Sequence, residues 1–253
     1  MSFQIVTLFY GTSEQRAAYA PLLRRWLAHH RAAGLGPRLV IVTRDDEPPL
    51  APELVGDTRV VAVSIAQYKD VIRPGQPFDV KGALMCEALR AIGEAFLFLD
   101  LDAFLQREPE PAHIPQDSLI GMARDIGAIH CGHDPCLEKP FEQVKKLCAG
   151  VVWFGAAPIA ARENLIKAYR RAWHELKDGA GPGIVPWTPR FDRLIEQYAW
   201  SLAAHRLGQP VLRDRWNWPP HIAAFGSSRL AIVHHEFGHS KWKGLGVPAP
   251  TNV

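Results

Sequence analysis

At 253 residues the chain has room for one large α/β domain with a substantial core. Its 47% hydrophobic and 22% charged content is that of an ordinary globular protein, which argues against disorder, and no unbroken apolar run is long enough to span a bilayer. A net charge of +3 is too small to mark a nucleic-acid binder, and four cysteines make no disulfide framework in a chain this long. With no basic leader ahead of Ile5, the expectation is a cytoplasmic protein; the composition is also compatible with peripheral association at an inner membrane face.

The first half alternates two hydrophobic periods. Gln4–Tyr10 is a β-rich run that stops at Gly11. Leu22, Leu23, Trp26, Leu27 and His30 then recur on one helical face, with Arg24, Arg25 and Arg31 away from it and Gly34 as the stop. In this reading His29 and His30 serve helix surface and packing. Leu39–Val42 and Val60–Val63 are two further strands. A helix carrying Leu84, Met85, Ala88, Leu89 and Ile92 ends at Gly93 and feeds into the apolar run Ala95–Leu99. An unbroken apolar strand fits the centre of a parallel sheet covered on both faces. Repeated strand–helix–strand units predict an α/β fold with a central, mostly parallel sheet flanked by helices, whose ligands lie beyond the carboxyl ends of the strands.

The second half is looser. Shorter strands are expected at Ser118–Ala123 and Gly150–Phe154, and helices through Leu165–Leu176 and Leu194–Leu202, separated by a glycine- and proline-rich stretch at Asp178–Pro189. No repeat or clean linker divides the chain. It reads as one domain, 1–253.

The triplet Asp100-Leu101-Asp102 carries the most chemistry. Two aspartates spaced i, i+2 at the end of a buried strand point the same way, and their mutual repulsion calls for positive charge beside them. A hard divalent ion bridging to a diphosphate meets that need. Aspartate pairs also follow a strand in haloacid-dehalogenase-like phosphatases, but those have a small β-branched residue where this chain has Phe104.

His235-Glu236-Phe237-Gly238-His239 spells H-E-x-x-H, the zinc-protease pattern. Its usual extension is missing, since positions 242 and 245 are Trp242 and Leu245, and no acidic residue follows Glu236. A strand at Ala231–Val233 leads into it, and Gly244 and Gly246 follow, so a long helix has little room. The frame His235-x-x-Gly238-x-x-Lys241 reads better: an imidazole as a third ligand to the ion of Asp100 and Asp102, a glycine for close backbone approach, and a lysine for phosphate.

Taken in order, the opening strand, Phe96–Asp102, Ala149–Phe154, Glu196-Gln197, Arg215–Trp218 and His235-x-x-Gly238-x-x-Lys241 resemble the GT-A nucleotide-sugar glycosyltransferases, family 8 and its bacterial relatives above all. The resemblance implies metal-dependent transfer of a sugar, commonly from a UDP-sugar, with retention at the anomeric carbon, to a glycan, lipid or protein acceptor, with residues 1–106 as the nucleotide-binding half of the domain and 107–253 as the acceptor-binding half. It implies Mn²⁺ or Mg²⁺ on Asp100, Asp102 and His235, the donor on Thr7, Lys81, Asp100, Gly238 and Lys241, and Gln197, Asp125 and Glu196 around the reacting sugar. The chain departs from the family in three places. Glu196 stands where an aspartate is usual, Cys148 where an asparagine is usual, and Phe9–Thr12 lacks the expected acids. These departures keep a catalytically weak nucleotide-sugar-binding protein of the same fold as the alternative, with a zinc or phosphatase-like hydrolase third.

Two clusters stay open at this stage. Cys131, His133 and Cys136, with Cys148, form either a zinc knuckle or an ordinary loop near the cleft. Trp216 and Trp218 either stack on a ligand or belong to the core.

Overall fold

The computed structural model describes residues 3–115, 117–124, 147–179, 195–212, 216 and 232–235. The site residues Asp125, Gly238 and Lys241 lie outside them, as do Cys131, His133, Cys136, Trp218 and the side chain of His235.

Strand β1 (Gln4–Leu8) lies between β2 (Leu39–Arg44) and β4 (Phe96–Leu99), and β3 (Arg59–Val63) forms the edge beyond β2. All of these pairings are parallel. The connections between them carry helix α1 (Ser13–Ala32), the single turn α2 (Pro52–Val55) and helix α3 (Pro77–Ala91). Beyond β4 the direction changes. Strand β7 (Leu147–Phe154) runs antiparallel to β4 and to β6 (Ile120–Arg124), and β8 (Val211–Leu212) pairs parallel with β6. The sheet order is therefore β3-β2-β1-β4-β7-β6-β8. A second, two-stranded sheet joins β5 (Ala103–Leu105) to β9 (Val233–His235).

The alternation of side chains along β1, β2 and β4 divides the core into two layers. Ile5, Ile41, Leu97 and Leu99 face α1, whose buried residues are Leu22, Leu23, Trp26, Leu27 and His30, the face its periodicity predicts. Thr12 and Gln15 cap the start of α1 reciprocally, side chain to backbone. Val6, Val40, Val42, Phe96 and Phe98 face the opposite way, onto α3, α4 (Ile159–Asp178) and α5 (Ile195–Arg206).

One cation ties these helices to the central strand. Arg162 of α4 is buried and donates to the carbonyls of Leu89 (2.9 Å), Ile92 and Gly93 (2.5 Å), at the carboxyl end of α3 immediately before β4. A guanidinium there satisfies carbonyls that the helix leaves without intrahelical donors and complements the negative end of its dipole. Among the described residues, no helix is long and apolar enough to cross a membrane.

Candidate functional site

The carboxyl ends of the parallel strands and the amino end of the reversed strand β7 meet at Asp100. The Asp100 backbone N–H donates to the Gly150 carbonyl (2.9 Å), and Leu99 pairs with Val151, so Cys148, Ala149 and Gly150 lie beside the Asp-x-Asp turn. The reversal of β7 brings a second chain segment to the edge where β4 delivers its acids.

Lys81, on the inner face of α3, reaches this turn. Its Nζ donates to Asp100 Oδ2 at 2.9 Å and lies 5.5 Å from the centre of the Phe98 ring. Burial alone would push the ammonium down. The charge of Asp100, that of Glu196 and the hydrogen bond to Asp100 outweigh it, so the lysine is held above its ordinary range and stays charged.

Glu196, at the first turn of α5, is only 2% exposed, and its Oε1 has no hydrogen-bond partner. Burial pushes this carboxyl up to about 8; Lys81 works against the shift, while Asp100 and Asp79 add to it. At neutral pH the group is therefore mainly a neutral acid. It packs against Gly82, where an added Cβ would come 3.0 Å from Glu196 Cγ and 1.9 Å from Tyr169 Oη. Only a residue without a side chain lets α4 and α5 approach α3 so closely, one residue from Lys81.

Gln197 turns the other way from the same helix. Its Oε1 accepts from the Ala149 N–H at 3.4 Å, linking α5 to the segment of β7 that touches Asp100. Cys148 Sγ accepts from the Gly150 N–H at 3.3 Å, so the thiol fixes its own strand end.

Asp102 is 9% exposed at the start of the turn into β5. Across β5, the Cα of His235 is paired with that of Ala103, the residue after Asp102, so the two distant stretches of sequence adjoin at backbone level. His235 ends a strand, whereas the zinc-protease pattern needs its two histidines on one helix. Among the described residues, no three His, Cys, Asp or Glu side chains converge as a metal-binding cluster. Asp100 and Asp102 are hard oxygen donors, with Lys81 paired to Asp100, a set whose chemistry fits Mg²⁺ or Mn²⁺.

Thr7 is fully buried within β1 and its Oγ1 has no hydrogen-bond partner. Trp216 is 1% exposed and belongs to the core layer of α1, which settles its role as packing.

Two site residues escape the sequence reading. Tyr10 follows β1, and its hydroxyl donates to the Pro77 carbonyl (2.9 Å) at the start of α3. Burial raises its phenol, with Lys81 opposing and Asp100 and Glu196 adding, which places Tyr10 in the same electrostatic cluster. Asp79 is fully buried, takes two donors from the Arg73 guanidinium (2.7 and 3.0 Å) and accepts from Trp173 Nε1 (3.3 Å). A tyrosine just past a parallel strand and an acid at the first turn of an inward-facing helix are the only sequence marks either residue carries.

In sequence the chain matches no protein-family model and no curated relative. Its structure is similar to that of the galactosyltransferase LgtC in complex with donor and acceptor sugar analogues, with TM-score 0.58, 14% identity and 98% of each chain covered. An active-site glutamine-to-glutamate mutant of LgtC gives the same values. Mouse xyloside xylosyltransferase 1 in its apo form is similar at TM-score 0.54 and 13% identity, covering 98% of this chain and 99% of the other. The chain has the GT-A fold that the resemblance of its motifs implies.

Proposed function

We propose that the chain is a glycosyltransferase that takes a sugar from a nucleoside diphosphate sugar, by preference a UDP-sugar, and passes it with retention to a glycan, lipid or protein acceptor. The observation that supports this most is the junction at the end of β4, where Asp100 and Asp102, the buried Lys81 and the backbone of His235 come together on a GT-A fold.

In this reading, Mn²⁺ or Mg²⁺ held by Asp100, Asp102 and His235 supplies positive charge to the departing diphosphate when bound. Lys81 keeps Asp100 oriented and adds fixed positive potential on the donor side. Gly238 allows the backbone of its segment to approach the diphosphate, and Lys241 neutralises it. The resemblance assigns Thr7, buried within β1, to the nucleobase end of the donor site. Gln197, anchored at Ala149, offers its amide oxygen to the positive centre that develops at the sugar, with Asp125 as the nearby anion and the buried Glu196 as a neutral acid behind the reacting sugar.

The test is a thermal-shift panel of nucleotide sugars with and without Mn²⁺, followed by donor hydrolysis and transfer assays. A UDP-sugar should raise the melting temperature only with the cation, and Asp102→Ala should abolish that rise. No shift with any nucleotide sugar, or an unchanged shift in the variant, would refute the proposal. The deep burial of Glu196 favours a second reading, a nucleotide-sugar-binding protein with slow turnover; cation-dependent binding without transfer or hydrolysis would select it.

A further inference from the structure

Strand β5 is the segment that follows Asp102 directly, and its two edges are held by different means. One edge pairs with β9 in the register Ala103–His235, Phe104–His234 and Leu105–Val233, continued by the Gln106 N–H to the Ile232 carbonyl at 2.8 Å. The other edge faces a helix, and three side chains of α1 take the part of a neighbouring strand. Trp26 Nε1 donates to the Ala103 carbonyl (3.1 Å), the Leu105 N–H donates to His30 Nε2 (3.2 Å), and His29 Nε2 lies 2.8 Å from the Leu105 carbonyl.

These contacts assign the imidazoles. His30 Nε2 accepts, so the ring proton is on Nδ1 and is donated to the Trp26 carbonyl at 2.7 Å. His29 must carry its proton on Nε2 to donate to Leu105. His30 is fully buried, and burial, reinforced by His29 and opposed by the bond to Trp26, holds its imidazole down at about 4. The ring is therefore neutral, with its acceptor lone pair free for Leu105, throughout the neutral range.

We propose that Trp26, His29 and His30 form a clamp that fixes β5 and thereby holds Asp102, and the backbone of His235 paired beside it, at the proposed cation site, with His30 as the central positioning residue. The proposal rests on the metal-site reading above. Without its second edge, a three-residue strand is held by a single ladder and is free to shift in register or depth. The clamp fixes it from α1, whose buried face is otherwise ordinary packing, so the histidine that periodicity assigns to the core also carries a directed hydrogen bond.

The test titrates Mn²⁺ into the full chain with saturating UDP, by calorimetry, alongside hydrogen exchange at the Leu105 amide. His30→Phe keeps the ring but loses the acceptor; it should weaken Mn²⁺ binding about tenfold and speed Leu105 exchange by at least a similar factor. His30→Gln, whose amide oxygen can accept from Leu105, should bind Mn²⁺ within about twofold of wild type. Leu176→Val, in the opposite core layer, should lower the melting temperature without changing Mn²⁺ affinity, which separates positioning from general destabilisation. If His30→Phe does not fold, Trp26→Phe, which removes the donor to Ala103, should weaken Mn²⁺ binding about threefold. Wild-type Mn²⁺ affinity in His30→Phe, or in Trp26→Phe, while Asp102→Ala abolishes binding, would overturn the clamp and leave the metal site standing. Undiminished Mn²⁺ binding in Asp102→Ala would overturn the metal site, and the clamp with it.

Discussion

Lys81 and Asp100 meet at 2.9 Å at the carboxyl end of β4, so the first acid of the Asp-x-Asp turn is already paired by the chain itself. The lysine stem is buried, and the aspartate side chain is 30% exposed. Removing the cation strands a partly desolvated carboxylate beside a second one. Lys81→Met should therefore cost about 2 kcal/mol, less than a fully buried pair would because water still reaches Asp100. The measurement is the urea midpoint. Saturating Mn²⁺ should restore more stability to the variant than it adds to wild type, because a bound cation replaces the missing charge. Equal midpoints without metal would show that the pair contributes no net stability.

Gly82 decides how closely three helices can approach. Alanine at an interior helical position normally gains about 1 kcal/mol over glycine. Here its Cβ would lie 1.9 Å from Tyr169 Oη and 2.8 Å from Tyr169 Cζ, and Tyr169 is fully buried and stacked on Trp200 at 4.4 Å. Gly82→Ala should therefore destabilise by about 2 kcal/mol net. Combining it with Tyr169→Phe removes the nearest clashing atom and should recover about half of that loss. Additive effects in this double-mutant cycle would mean that the two positions do not compete for space.

The helical face of α1 could be read from its periodicity, and the strands β1, β2 and β4 from nearly unbroken apolar runs, because those strands are covered on both faces. Asp100 and Asp102 were visible because charge is conspicuous beside an apolar strand, whereas Lys81, inside a helix, was marked only by the family resemblance. What stayed hidden depends on long-range register. Ala103–Leu105 is too short to show a period, and its partners lie on α1 and near residue 234, so nothing local marks β5 as a strand. The same holds for His30, which fits the apolar face as a packing residue and shows its directed bond only when Leu105 is placed against it. Glu196 was expected from its place beside Gln197, but its neutral state arises from the helices that close over it, which no spacing encodes.

Arg162 holds the end of α3 against the start of β4 through three carbonyls, and it is only 3% exposed. Arg162→Leu keeps much of the stem but leaves those acceptors without their donor, an expected loss of about 3 kcal/mol. Since the anchor lies at the opposite end of β4 from Asp100, Mn²⁺ affinity measured well below the lowered melting temperature should stay within about twofold of wild type. A large loss of metal affinity would show that the strand transmits displacement along its length.

Glu196 predicts a stability that falls as the solution becomes more basic. Its carboxyl titrates at about 8 when folded, against an ordinary value of 4.5 when the chain is open. The folded state thus binds the proton more tightly, so the full contribution is present below pH 4.5 and is lost as pH rises through about 8. His30 acts in the opposite sense. Its folded value of about 4 lies below the ordinary 6.5, so its contribution is complete above 6.5 and is lost as pH falls toward 4. The two windows overlap only on the acid side. Between pH 7 and 8.5 His30 is neutral in both states, and the change belongs to Glu196, about 1 kcal/mol of lost stability. Glu196→Gln, neutral at every pH and nearly the same shape, should cancel that loss, so the variant gains on wild type as pH rises from 7 to 8.5. Parallel denaturation midpoints for the two proteins across this interval would mean that the acid is already ionised in the folded chain, with Lys81 rather than a proton balancing its charge.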